Sequence, residues 1–183
     1  NVTDVKEPSF IKEVAFRTEK ELEENVDVCF YPSLAVRSDD KYLIVTNTQF
    51  LIYEISDLEN PRLARNETWA ATTVLLSKDD RTLYVGSEDY LKILDITNFE
   101  TPKLISSVPV KGYVFTSDIS RDQKHIYVLS YYEAKDSDEI QIYLYVINVV
   151  DPAAPVIEKQ GYLVSTARIG FRGLRVSPDG TFF

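Results

Sequence analysis

The sequence predicts an all-β chain made of four-stranded antiparallel blades, and three observations carry that prediction. Leu83-Tyr84-Val85 followed by Leu91-Lys92-Ile93-Leu94-Asp95 is a two-strand unit that recurs, upstream as Leu43-Ile44-Val45 with Phe50–Glu54 and downstream as Ile126-Tyr127-Val128 with Leu144–Asn148. Each copy lies between an Asp-centred turn and a proline, Pro61, Pro102 or Pro155. Asp39 and Asp79 stand 40 residues apart and Asp79 and Asp122 stand 43 apart, and a four-stranded blade takes about 40–45 residues. A β-propeller is therefore the expected fold class, with only part of the ring present in this chain.

The elements follow in order. Asn1–Pro8 matches the tail of a repeat, with Val2 in the place of Ile55, Ile96 and Val149, so a partial blade is expected over 1–26 with Phe10–Val14 as its outer strand. The acidic run between Phe16 and Val26 lacks apolar periodicity and reads as a short exposed helix or, by default, a solvated inter-blade loop. Whole blades are expected over about 27–70, 71–112 and 113–166, with a further blade starting in 167–183. Their first strands are Leu34-Ala35-Val36, Val74-Leu75-Leu76, Ser117-Asp118-Ile119 and Leu174-Arg175-Val176. A turn built on Asp39, Asp79, Asp122 or Asp179 follows each, because Asp bonds its own backbone and turns of this kind accept positive φ.

Longer intervals point to insertions. Asp122 to Asp179 is 57 residues, and Pro8 to Pro61 and Pro102 to Pro155 are 53 each, against 41 from Pro61 to Pro102. Tyr131–Glu139 falls where the second blade has only Ser87-Glu88-Asp89, so it lengthens one hairpin. A second insertion lies between Val156 and Leu174, punctuated by Gly161, Gly170 and Gly173. The chain begins without Met and contains none, and blades are cut at both ends, which suggests a longer parent array. Phe50, Ile52, Leu83, Val85, Leu91, Ile93, Ile126, Val128, Leu144 and Val146 occupy equivalent positions and are expected to be buried between blades.

Composition narrows the partners. The 12 Tyr and 9 Phe suit pleated sheets. A net charge of −9 disfavours nucleic acid and anionic membranes, whose recognition needs clustered Lys and Arg. No apolar stretch approaches the roughly 20 residues of a membrane-spanning helix. Cys29 is alone, so no disulfide forms within the chain, and it reads as a small buried hydrophobe. His125 is the sole histidine and reads as a polar blade residue at the position of Tyr42 and Thr82. Asp136, Asp138 and Glu139 alternate in a way that suits Ca²⁺, yet without the Gly and distant Glu of an EF-hand they read as a solvated hairpin tip. Trp69 is expected to pack between blades. Sequons at Asn1-Val2-Thr3 and Asn66-Glu67-Thr68 make Asn66 and Asn1 the candidate N-glycosylation sites, on exposed loops.

Leu91-Lys92-Ile93-Leu94-Asp95, Leu83-Tyr84-Val85 and Ser177-Pro178-Asp179-Gly180 together resemble the LVIVD-repeat proteins and the related YVTN-type propellers. The resemblance covers nearly the whole chain and implies a propeller, commonly of seven blades, in surface-exposed or secreted proteins that bind or scaffold. With no nucleophile elbow, phosphate loop or paired-cysteine motif, the expectation is a non-catalytic interaction or structural module, extracellular or on the cell surface. Its partners would be another protein or further copies of itself, with N-linked glycans and no cofactor or metal. Two alternatives stand beside it: a subunit of an extracellular filament whose blades are completed between copies, and a fragment of a lactonase-like or redox propeller enzyme whose active site lies outside this chain.

Overall fold

The computed structural model describes residues 33–46, 49–67, 69–133, 139–165 and 174–177. They form twelve strands in three four-stranded antiparallel sheets, as the sequence predicts. The first sheet holds β1 (Ser33–Val36), β2 (Tyr42–Thr46), β3 (Phe50–Glu54) and β4 (Arg62–Glu67). The second holds β5 (Thr73–Leu76), β6 (Thr82–Gly86), β7 (Tyr90–Asp95) and β8 (Lys103–Pro109). The third holds β9 (Tyr113–Ile119), β10 (His125–Glu133), β11 (Ile140–Asn148) and β12 (Val156–Ser165). Strands pair in chain order within each sheet, and the first strands β1, β5 and β9 lie side by side, so the sheets fan out from a common inner edge.

The register makes the repeat explicit. Glu54 lies opposite Tyr42, Asp95 opposite Thr82 and Asn148 opposite His125, which aligns the three sheets residue by residue. A bulge recurs at the same place in each pairing of third with fourth strand, after Ile52, Ile93 and Val146, where one outer-strand residue has no opposite number. Such a bulge bends and twists the strand, and its recurrence was invisible in the variable outer-strand sequence.

Two cores lie between the sheets. Ile44, Phe50 and Ile52 of the first sheet meet Val74, Leu83, Val85 and Leu94 of the second. Tyr84, Leu91 and Ile93 on the second sheet's other face meet Ile126, Val128, Tyr145 and Ile147 of the third. Eight of the ten residues expected in the core are buried, and two are not. Leu144 and Val146 are only half-buried, although they align with Phe50 and Ile52 and with Leu91 and Ile93. They face away from the second sheet, on the side where no further described sheet lies. Trp69 packs between sheets as expected: it stacks on Phe50 at 5.1 Å and carries the Lys92 ammonium 3.7 Å from its ring centre. Desolvation there pushes Lys92 below its ordinary pKa, partly opposed by the charge of Glu67.

Polar clasps tie neighbouring sheets at repeated positions. The Val74 N–H donates to Ser33 Oγ at 3.1 Å, and one repeat pair later Leu174 N–H donates to Thr116 Oγ1 at 3.2 Å. Between them in the series, Thr73 Oγ1 and Ser117 Oγ share a buried hydrogen bond of 2.9 Å. Val176 N–H adds a bond to Asp118 Oδ2 at 2.7 Å, so 174–177 starts alongside the third sheet as β5 and β9 start alongside the first and second.

The Asp turns divide their labour differently from the expectation. Asp39, Asp79 and Asp122 accept from the backbone N–H two residues on, while the positive φ falls on the next residue, Asp40, Asp80 or Gln123. Those left-handed residues then reach to the previous sheet: Asp80 accepts from Ser38 N–H at 3.1 Å and Gln123 Oε1 from Lys78 N–H at 3.1 Å. The Ser77 hydroxyl, donating to Asp79 at 2.6 Å, is the main reason that carboxyl sits below the ordinary carboxylate range, with Arg81 assisting against a desolvation cost. A depressed carboxyl stabilises the fold above its unfolded pKa, about 3.9, and loses that contribution as the pH falls through the lower folded value. Asp79→Ala is therefore expected to lower Tm at neutral pH, with the gap to wild type closing between about pH 4 and pH 2. Thermal melts across that range check it, and a gap that stays constant would contradict the assignment.

Candidate functional site

The longest strands mark the place where the chain departs from its repeat. β10 and β11 have nine residues each, against five and six in β6 and β7, so the hairpin predicted from the Tyr131–Glu139 insertion extends beyond the neighbouring sheet. The second sheet's matching turn ends at Ser87-Glu88-Asp89 and cannot cover the extra length. β12, ten residues long, follows β11 outward, so three strands share the extension. A bulge after Leu129 in the β9–β10 pairing adds twist at its base.

Alternation puts Tyr143 and Tyr162, at the base of this extension, and Tyr132, Gln141 and Val164, within it, on the face turned toward the second sheet. Tyr143 is buried at their centre, stacked on Tyr145 at 6.2 Å and on Tyr162 at 5.6 Å. Tyr132 and Tyr162 are 37% and 64% exposed, so two phenol rings are open to solvent on either side of it.

Lys111, in the connection from β8 to β9, reaches onto this face. Its ammonium donates to Tyr143 OH at 2.8 Å and to Gln141 Oε1 at 3.1 Å, and Tyr143 OH donates onward to Gln141 Oε1 at 2.6 Å. The ring centres of Tyr132 and Tyr143 lie 4.5 and 5.1 Å from Nζ, within cation–π range. The Tyr143 hydroxyl is the main reason Lys111 is held above its ordinary pKa. The backbone is anchored as firmly: Lys111 N–H donates to Tyr145 OH at 2.8 Å and Ser130 Oγ donates to Lys111 O at 2.7 Å. Gly112 follows with φ of 79°, and a Cβ there would collide with the Tyr131 carbonyl. A charged group is thus held in place on an aromatic surface. The sequence reading did not find this site, because Lys111 lies 21 residues or more from the tyrosines it meets. The available signal was the density of tyrosine within and beside the inserted hairpin.

On the opposite face of the third sheet, His125, Tyr127, Leu144, Val146, Glu158 and Gly161 line an open groove of about 470 Å³. His125 Nε2 lies 3.2 Å from Glu158 Oε2, and Asn148 Nδ2 donates to Glu158 Oε1 at 2.8 Å. The Asn148 bond and then the His125 charge hold the Glu158 carboxyl low, against desolvation. Leu144 and Val146, whose counterparts are sealed between sheets, make this groove an inter-sheet face that no further described sheet covers.

The other residues singled out from sequence fall as follows. Asn66 is exposed, on strand β4 rather than on a loop. Asn1, Cys29, Asp136, Asp138 and Asp179 lie outside the described residues. Glu139 is exposed at the base of the hairpin tip. Among the described residues no group of three His, Cys, Asp or Glu is placed to hold a metal ion, and no helix is long and apolar enough to cross a membrane.

No protein-family model matches the chain, and no curated protein matches it. Solved structures do. The hydrazine synthase of Kuenenia stuttgartiensis is 17% identical, with a TM-score of 0.60 over 81% of this chain and 41% of its own. A candidate 6-phosphogluconolactonase of Bacteroides uniformis is 15% identical, with a TM-score of 0.59 over 81% of this chain and 44% of its own. The β-propeller domain of Cps50 (Swd1) from Myceliophteria thermophila is 14% identical, with a TM-score of 0.56 over 86% of this chain and 51% of its own. At these identities the likeness is one of fold, and it is that of a partial β-propeller. The chain spans about half, or less, of each of these structures.

Proposed function

We propose that the chain is part of a non-catalytic β-propeller interaction module that offers the tyrosine face of its long hairpin to a protein partner. One observation carries the reading: an insertion carries Tyr132 past the length of the neighbouring sheet, beside the exposed ring of Tyr162, and Lys111, Tyr143 and Gln141 hold that surface in one arrangement. Rigid, half-exposed aromatic side chains give large contact area at small entropic cost, which is why Tyr is enriched in interfaces. Affinity capture on the folded chain, compared with the Tyr132→Ala/Tyr162→Ala double variant, is expected to lose its specific partner at least about tenfold, the loss typical of hot-spot residues. Equal recovery by both proteins overturns the proposal. So does ester or lactone hydrolysis that a single substitution at the rim of the sheets abolishes.

The propeller is assigned to the LVIVD and YVTN type on its Leu-Tyr-Val and Leu-Lys-Ile-Leu-Asp strands, and to the cell surface or the extracellular space. The exposed side chain of Asn66 supports the latter, since a strand at the outer edge is open to the glycosylating enzyme. Secreted from a eukaryotic host, the chain is expected to exceed 21.0 kDa by a glycan that Asn66→Gln removes. An unmodified mass on intact-protein mass spectrometry would contradict this.

A second reading, assembly through further copies of the chain, is favoured by half-exposed Leu144 and Val146 on the outer face of the third sheet. Sedimentation distinguishes the two, since a purely monomeric species of 21.0 kDa excludes self-assembly.

A further inference from the structure

Lys111, like Lys92 over Trp69, is held in place without an ion pair, but it is held by hydrogen bonds as well as by rings. Arg37, Arg62 and Arg65 each have a carboxylate partner, at 3.5, 2.6 and 2.5 Å. In a chain with 29 acidic residues, Lys111 is nevertheless held by neutral groups, Tyr143 OH and Gln141 Oε1, and has no carboxylate partner among the described residues. An ammonium has three donors. Two are used within the hydrogen-bonded triangle of Lys111, Tyr143 and Gln141, and the third has no acceptor among the described residues.

The anchoring has a consequence for binding. A surface lysine ordinarily loses rotamer freedom when it engages a ligand, and that loss weakens binding. Lys111 is already fixed at its N–H, its carbonyl and its ammonium, so much of that loss has been met in folding. The surroundings restrict what can use it. The overall charge of −9 opposes a polyanion, so recognition is of a single carboxylate. Beside Lys111, Tyr132 and Tyr162 are open for stacking, and Val164, 50% exposed, lies on the same face as Tyr162. An aliphatic neighbour suits an apolar side chain better than a sugar hydroxyl, which would lose its hydration there.

We propose that Lys111, with Tyr132, Gln141, Tyr143 and Tyr162, is a recognition site for a peptide segment carrying one Asp or Glu beside an aromatic or aliphatic side chain. The carboxylate accepts from the ammonium, and the neighbouring side chain stacks on Tyr132 or Tyr162. This rests on the interaction module proposed above and names the chemistry of its partner.

The test is selection of a random heptapeptide display library on the folded chain, followed by fluorescence polarisation with the selected peptide made synthetically. Enrichment of an acidic position next to an aromatic or aliphatic one is expected. Lys111→Met, which keeps an unbranched apolar stem, and replacement of the peptide acid by its amide should each weaken binding about tenfold, as for one charge-assisted hydrogen bond. Combined, they should weaken it little further, since both remove the same contact. Tyr162→Ala, at an exposed ring, gives a second variant that does not depend on the packing under Lys111.

Selected peptides with no acidic position, or with equal affinity for Lys111→Met, overturn the site while leaving the interaction role to its own capture experiment. Lys111-dependent binding of tetragalacturonate, with no peptide enriched, also overturns it and makes the ligand an acidic sugar.

Discussion

Phe50→Ala is expected to destabilise the chain by about 3–5 kcal/mol and Leu91→Ala by about 2–5 kcal/mol, whereas Leu144→Ala costs about 1 kcal/mol. The three residues hold one position in three successive repeats, fixed by the shared register of their strands. Phe50 and Leu91 are sealed between sheets at 0% exposure, so truncation leaves a cavity as well as losing transfer free energy. Phe50 also forfeits its stacking on Trp69. Leu144 is half-buried on the open face and its removal leaves no enclosed void. Urea denaturation of the three variants measures the gradient. Were Leu144→Ala to cost as much as Leu91→Ala, the third sheet's open face would be covered in solution, and a sedimentation run would show whether a second copy covers it. In an array where each sheet contacts only its neighbours, stability is close to a sum of unit and interface terms, so the gradient reads interface strength directly.

Gly112→Ala carries the next largest expected effect, a loss of about 2–6 kcal/mol, from left-handed strain of about 1–3 kcal/mol and disrupted, partly buried hydrogen bonds of about 1–3 kcal/mol. At φ of 79° a residue with a Cβ is strained, and here the Cβ would also press on the Tyr131 backbone carbonyl. That oxygen belongs to β10 and cannot yield without shifting the strand. If the connection moves instead, Lys111 leaves Tyr145 OH and Ser130 Oγ, and the ammonium leaves its place over Tyr132 and Tyr143. The variant should therefore lose peptide binding together with stability. Gly161→Ala is the matched control, since a Cβ there meets open space, and its effect on stability should lie within about 0.5 kcal/mol. Equal effects at both glycines in urea melts would show that Gly112 is not under backbone constraint.

The repeated Leu-Tyr-Val and Leu-Lys-Ile strands, the Asp turns and their spacing made the all-β sheet array legible in the sequence, because alternation and turn chemistry act over a few residues. The place of the hairpin insertion was legible for the same reason, and it is the part of the candidate site that sequence reading reached. Lys111 escaped it. Nothing near Lys111 in the chain marks it out, and its meaning comes from Tyr132, Gln141, Tyr143 and Tyr145, which reach it only when the third sheet packs on the second. The inter-sheet bonds of Ser33, Thr73, Asp80 and Gln123 were hidden likewise, since Ser, Thr, Asp and Gln at strand starts and turns look the same whether they serve their own hairpin or the next one.

Leu144 and Val146 draw the boundary. Local pattern assigns a side chain to one face of a strand, and it did so correctly for Leu144 and Val146 and for their counterparts. Whether that face is wet depends on what lies across it, which is a property of sheets meeting at long range. The sequence by itself determined the strands, their turns and the direction each side chain takes. Tertiary structure alone decided which faces are sealed, which hydroxyls bridge sheets and where a lysine is held over tyrosine, because those depend on the distance between groups that the chain keeps far apart.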